Sequence, residues 1–263
     1  MSLNIFLAFL LAFSIVQSQE LSPTKIFLLA GQSNMAGRGG VNNNTWNMLI
    51  PPESTPSPFI LRLSLDKTWV VAHEPLHKDI DYTKVCGVGP GMPFAHELLA
   101  KDPNFGVIGL VPCAIGGTNI TQWAKGSEDY TKLVQRAGAS LRSGGKIEAL
   151  LWYQGESDTV SHNQTDGNIY KERLYNFFTN IRSDMNCPNL PIIQVALASG
   201  FNSTLEEIVR AVQLENDLPN LQTVDAKGLP LEGDGLHLST PAQVQLGKML
   251  ADAFLNNFPK PIQ

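Results

Sequence analysis

The chain has 263 residues, of which 43% are apolar and 16% charged, with a net charge of −5. A length of this order can bury a substantial core without disulfides or metals. The negative balance, with no run of Lys or Arg, argues against a nucleic-acid partner. Cys86, Cys113 and Cys187 show no CxxC spacing, allow at most one intramolecular disulfide and supply no zinc or redox motif.

The first element is an apolar run from Leu3 to Val16, followed by small residues around Ser18. It is too short to span a bilayer comfortably and reads as a signal peptide covering residues 1–18, so the expected product is secreted, extracellular or in the cell wall. Sequons at Asn43, Asn119, Asn163 and Asn202 fit that route. No other stretch is apolar enough to cross a membrane. Residues 19–263 then read as one domain.

Lys25–Ala30 is the first of five short apolar runs with the character of strands covered on both faces. The others are Gly106–Val111, Ile147–Tyr153, Pro191–Leu197 and Leu221–Asp225. Between them lie amphipathic helix patterns. Ser127 is placed to cap one that carries Tyr130, Leu133, Val134, Ala137 and Leu141, and Tyr170, Leu174, Phe177, Phe178 and Ile181 stripe a second. Ser203 with Glu206 reads as a capping box for a third, and Thr240-Pro241 opens the last. Alternation of this kind predicts a three-layer α/β/α sandwich, flavodoxin-like, with about five parallel strands. From about Arg38 to Pro90 the rhythm breaks into a Pro-, Asn- and Gly-rich stretch without sustained periodicity. Long ordered loops of this kind often build binding sites, and this one leaves from the carboxyl end of the first strand.

Four segments carry polar residues suited to chemistry. Gly31-Gln32-Ser33-Asn34-Met35 follows the first strand and exposes a serine at the sheet's carboxyl edge, a placement that also suits a helix N-cap. It is not a GxSxG elbow, because Met35 stands where the second glycine belongs. Asp234-Gly235-Leu236-His237 precedes the last helix. Two intervening residues let the carboxylate reach imidazole Nδ1–H, leaving Nε2 free to take a serine proton. Gly116 and Gly117, after the second strand, offer N–H donors for an oxyanion. In Trp152-Tyr153-Gln154-Gly155-Glu156-Ser157-Asp158, the Gln154 side chain is a further donor. Glu156 and Asp158 are either a solvated loop or a glycosidase pair, although their spacing alone does not establish that geometry. Gln32, Asn34 and Thr118 are candidate substrate contacts. Trp46, Trp69 and Trp123 are candidates to stack on a sugar, with core packing the competing use. His73, His77, His96 and His162 read as surface or packing residues, and no metal or organic cofactor is expected.

The set GQSNMAG, GGT, WYQGESD and DGLH, in this order after successive strands, resembles the SGNH hydrolases. Within them it is similar to carbohydrate esterase family 6, the sialate O-acetylesterase-like or acetylxylan-esterase-like group. Gly87 to Leu99 adds to a likeness that runs from about Lys25 to Phe258. The resemblance implies Ser33 as nucleophile and His237 as base. It also implies an oxyanion hole from the Ser33 N–H, Gly117 (or Gly116) and Gln154. Asp234 is the nearer acid by local spacing, and Glu156 is the alternative or additional one. The implied substrate is an O-acetylated carbohydrate such as a wall polysaccharide. Two rival readings are a carbohydrate-binding protein without turnover and a glycosidase using Glu156 and Asp158.

Overall fold

The computed structural model describes residues 22–160, 167–215 and 217–258. The N-terminal apolar run, the Asn163 sequon and His162 lie outside them. In chain order these residues form β1 (Lys25–Gly31), α1 (Ser33–Ala36), β2 (Val41–Asn42), β3 (Thr45–Trp46), β4 (Ile60–Leu63) and β5 (Trp69–Val71). There follow α2 (Gly91–Lys101), β6 (Ile108–Pro112), α3 (Glu128–Ser140), β7 (Lys146–Tyr153) and α4 (Gly167–Asp184). The chain continues through β8 (Ile192–Ala196), α5 (Ser203–Leu214), β9 (Leu221–Asp225) and α6 (Thr240–Asn257).

Seven strands form one sheet in the order β5-β4-β6-β1-β7-β8-β9, with every neighbouring pair parallel except β4–β5. The five runs expected from sequence are adjacent in it, from β6 to β9 at one edge. Their order, second-first-third-fourth-fifth, is that of a flavodoxin-like sheet. The expected β6 starts late because Gly106 takes a left-handed φ of 97°. Two further strands, β4 and β5, extend one edge from within the segment read as aperiodic. Ile60-Leu61-Arg62-Leu63 is too short to show a period, and Arg62 interrupts its apolar run. That arginine is nonetheless buried and paired with Asp79.

Strand alternation assigns the two faces. Phe27 packs edge-on against Phe94 of α2 and Phe254 of α6, with ring centroids 4.8 and 5.1 Å apart. Ala30, three residues on, points to the opposite side, as does its partner Trp152. Trp152 meets Phe177 and Phe178 of α4, and Trp123. Trp123 and Trp152 are therefore core residues, and Trp69 also packs against the core. Burying each such ring contributes about 1.5–3 kcal/mol.

Ser127 caps α3, accepting from the Tyr130 N–H. The start of α5 differs from expectation. Its N-cap is Asn202, whose Oδ1 accepts from the N–H groups of Thr204 and Leu205 at 3.0 and 3.1 Å, and Ser203 is already helical. A carboxamide oxygen on extended backbone reaches both orphan donors, which leaves the Ser203–Glu206 box no role. The three cysteines are free thiols. Among the described residues, no helix is long and apolar enough to cross a membrane.

Candidate active site

The site lies at the carboxyl edge of the sheet, around β1, where the chain order reverses between β6 and β7. Gly31 ends β1 with φ 124°, and a side chain there would run into the Tyr153 carbonyl. This glycine lets the chain leave the strand sharply and present Ser33 in the first turn of α1. Ser33 Oγ lies 2.9 Å from His237 Nε2, and His237 Nδ1 lies 2.6 Å from Asp234 Oδ2. Asp234 Oδ1 in turn accepts from the N–H groups of Leu236 and His237 at 2.9 and 3.0 Å, across a turn in which Gly235 has φ 67°. Partial burial pushes the Asp234 carboxyl upward. The two backbone N–H groups and the imidazole outweigh that and hold it below the ordinary carboxylate range, so it stays ionised beside the ring.

These three residues open onto a cavity of about 450 Å³. Gly116 and Gly117 form part of its lining. A side chain on Gly116 would push into the buried Arg38–Asp81 ion pair, so glycine leaves that pair in place. The N–H groups of Ser33, Gly116 and Gly117 meet no acceptor among the described residues. The walls come from loops: Val41, Asn43 and Asn44 on the β2–β3 hairpin, Lys84 and Val85 opposite, then Ser157 and Phe201. Arg38 lies at the base, buried and ion-paired with Asp81. Sequence reasoning did not single out Arg38, Lys84, Val85 or Phe201. The only local signal was the length of the segment that supplies the first three.

Several expected contacts face inward instead. Gln154 is fully buried, and its Nε2 donates to the Thr118 carbonyl at 3.1 Å and to Asp158 Oδ2 at 2.6 Å. The same Nε2 lies 3.4 Å from Gln32 Oε1, so the amide of Gln154 is engaged with the protein on every side, and Gln154 is not among the residues that line the cavity. Thr118 is equally committed: its hydroxyl donates to the Ile115 carbonyl and accepts from Trp123 Nε1. Asn34 is buried, with both ends of its carboxamide bonded within the protein. Of the three candidate substrate contacts only Gln32 lines the cavity, and its Oε1 accepts from the N–H groups of Gly155 and Ser157 at 3.2 Å each.

Glu156 does not touch His237. It is buried, its Oε1 accepts from Asn34 Nδ2 at 2.8 Å, and its Oε2 has no hydrogen-bond partner. Burial pushes its carboxyl up to about 7 against the opposing pull of the Asn34 bond. Asp158, pushed up to about 6 by burial, accepts from Gln154 and from the Ile120 N–H. Neither carboxylate lines the cavity, so a glycosidase pair is not assembled there. His73, His77 and His96 are also absent from the lining. No cluster of three or more metal-ligating side chains occurs among the described residues.

A family profile described as carbohydrate esterase, sialic acid-specific acetylesterase, matches residues 23–256. A probable carbohydrate esterase of Arabidopsis thaliana is 53% identical over 243 residues, covering 90% of this chain and 92% of that protein. Among solved structures, an Arabidopsis thaliana protein is similar with a TM-score of 0.86 at 51% identity, over 90% of this chain and 99% of that one. A carbohydrate acetylesterase from Xanthomonas citri shares the fold, with a TM-score of 0.60 at 20% identity, over 87% of this chain and 55% of that one.

Proposed function

The chain belongs to the sialic acid-specific acetylesterase family of carbohydrate esterases, and from that premise we propose that it removes O-acetyl groups from carbohydrate through an acyl-enzyme on Ser33. The observation that carries this reading is the continuous hydrogen-bonded line Ser33–His237–Asp234 at a solvent-open cavity.

Ser33 Oγ attacks the acetyl carbonyl carbon as His237 Nε2 takes its proton. The tetrahedral oxyanion accepts from the backbone N–H groups of Ser33 and Gly117, with Gly116 the alternative second donor. Losing one such donor typically costs about 3–4 kcal/mol of transition-state stabilisation. Collapse breaks the ester bond, and the imidazolium returns its proton to the departing sugar hydroxyl. Water, deprotonated by His237, then releases acetate and restores Ser33. Asp234 holds the ring with Nδ1 protonated and compensates the imidazolium charge.

The substrate in this reading is an acetylated cell-wall polysaccharide, met after secretion directed by the N-terminal apolar run. Support comes from the acetylesterase family and from the cavity of about 450 Å³ that Ser33 and His237 line. The test is acetate release from a panel of acetylated polysaccharides by wild-type protein and by Ser33→Ala. Release by wild type that disappears in Ser33→Ala supports the reading. Release that persists in purified Ser33→Ala sinks the nucleophile, and no release from any member of the panel sinks the substrate class.

A further inference from the structure

Asn34 follows the nucleophile directly in sequence, yet its side chain points away from the cavity. Its Oδ1 accepts from the Leu238 N–H at 2.9 Å, and its Nδ2 lies 3.4 Å from the Leu236 carbonyl. Leu236 and Leu238 are the two neighbours of His237, so one carboxamide grips the backbone on both sides of the base. The orientation of the amide is not ambiguous, because a backbone N–H needs an acceptor at one end and a carbonyl needs a donor at the other. The Asn34 carbonyl is held as well, by Gln243 Nε2 of α6 at 3.1 Å.

The second hydrogen of Nδ2 goes to Glu156 Oε1. A buried carboxyl with one side-chain hydrogen bond and an unpartnered second oxygen is a poor stabilising element, since desolvation outweighs what a single bond returns. Among the described residues, Asn34 is the only side chain that donates to it. Its evident effect is to fix the rotation of that carboxamide.

We propose that Asn34 and Glu156 are positioning residues that set the distance between Ser33 and His237. Glu156 orients the Asn34 amide, and Asn34 ties the turn bearing the nucleophile to the strand-like segment bearing the base. Neither residue touches the reacting atoms. The serine and the histidine are 204 residues apart in the chain, and this carboxamide bonds the residue on each side of the histidine from the position next to the serine. A misplacement of about 1 Å between reacting groups can cost on the order of 100-fold in rate, so this link bears on kcat.

The inference rests on the serine-esterase reading, and the experiment separates the two. Asn34→Asp places a carboxylate against Glu156 and is expected to lower kcat on a chromogenic acetate ester by roughly 100-fold, with KM changed less than about twofold. Ser33 labelling by an organophosphate should slow in parallel. Glu156→Gln alone is expected to cost about tenfold in kcat, since a carboxamide oxygen still accepts but is no longer anchored by charge. The double variant Asn34→Asp/Glu156→Gln reverses the donor and acceptor. The carboxamide introduced by Glu156→Gln can give a hydrogen to the new carboxylate, whose other oxygen still accepts from Leu238. The double variant should recover at least about tenfold of the kcat lost in Asn34→Asp. A merely structural role would move the melting temperature and leave kcat and the labelling rate of folded protein unchanged. If Asn34→Asp is folded with kcat within about twofold of wild type, or if the double variant recovers nothing, the inference is overturned. If Asn34→Asp does not fold, Asn34→Ser is measured in its place against the same thresholds. Persistent activity in Ser33→Ala would instead defeat the esterase mechanism itself.

Discussion

Two turns at the same edge of the sheet, Asp234–His237 and Gln154–Asp158, use similar materials to opposite ends. Each contains a glycine at positive φ, and each carries carboxylates close to Ser33 in space or in hydrogen-bond connection. In the first, the carboxylate is 48% exposed and receives two backbone N–H bonds, which hold it ionised against the imidazole. In the second, both carboxylates are withdrawn from water and pushed upward, and the polar side chains bond to one another and to neighbouring backbone. The difference comes from solvent and donors rather than from residue type. A motif dense in catalytic-looking residues can serve as the foundation under a site while a plainer turn supplies the chemistry.

The comparison predicts unequal losses. Asp234→Asn should cost up to about 10⁴ in kcat, because the imidazole loses both its tautomer and its countercharge. Glu156→Gln should cost far less in the same assay. A larger loss from Glu156→Gln would invert the contrast between the turns.

The next effect is on stability. Because burial raises Glu156 to about 7 from an ordinary 4.5, the folded protein binds this proton more tightly than the unfolded chain does. The stability that results is full below about 4.5 and is lost as pH rises through about 7, on the order of 3 kcal/mol in all. Glu156→Gln removes that dependence. Its melting temperature should therefore gain on wild type between pH 5 and pH 8, even as kcat falls. A constant difference across that range would show that Glu156 is not titrating there.

Gln154→Ala tests the inward assignment of the second turn. It takes the Gln154 donor from the buried Thr118 carbonyl and removes one of the bonds to Asp158 Oδ2, which keeps the Ile120 N–H, so a destabilisation of about 1–3 kcal/mol is expected by chemical denaturation. The kcat of the folded fraction should fall by less than about tenfold, since no oxyanion bond is lost. A fall of 100-fold or more at unchanged stability would return Gln154 to the oxyanion hole.

The smallest effect is expected at the cavity wall. Phe201 is 59% exposed beside the site. Phe201→Ala should raise KM for an acetylated polysaccharide a few-fold, by roughly 1 kcal/mol of lost ring contact, and leave hydrolysis of a small acetate ester unchanged. Equal changes for both substrates would remove Phe201 from carbohydrate recognition.

The legible parts of this molecule were those with local causes. β1, β7, β8 and β9 fall within about a residue of the expected runs, the first three because each is a largely apolar stretch bounded by polar or turn residues. The Asp234–His237 contact was readable because three residues of turn suffice to make it. β4 was not readable, since its central Arg62 is tolerated only through Asp79, 17 residues away. Asn34, Thr118 and Gln154 were picked out by type, but their hydrogen bonds to buried backbone and side chains were not readable, because whether a polar side chain faces cavity or core depends on partners that only the assembled sheet edge provides. Phe201 and Lys84 reach the cavity from loops whose convergence no local pattern records.

The 204 residues that separate Ser33 from His237 also place the site in time. A ribosome finishes Ser33, the proposed nucleophile, within the first strand-and-turn unit, whereas His237, the proposed base, is added only just before α6. That helix packs against α2, and its Gln243 Nε2 donates to the Asn34 carbonyl next to the serine. In the proposed mechanism, competence therefore arrives only after every strand named above has been made. During synthesis, and during secretion if the chain follows that route, an incomplete chain carries an exposed serine with no base to activate it, so esterase activity reports that the whole domain has closed.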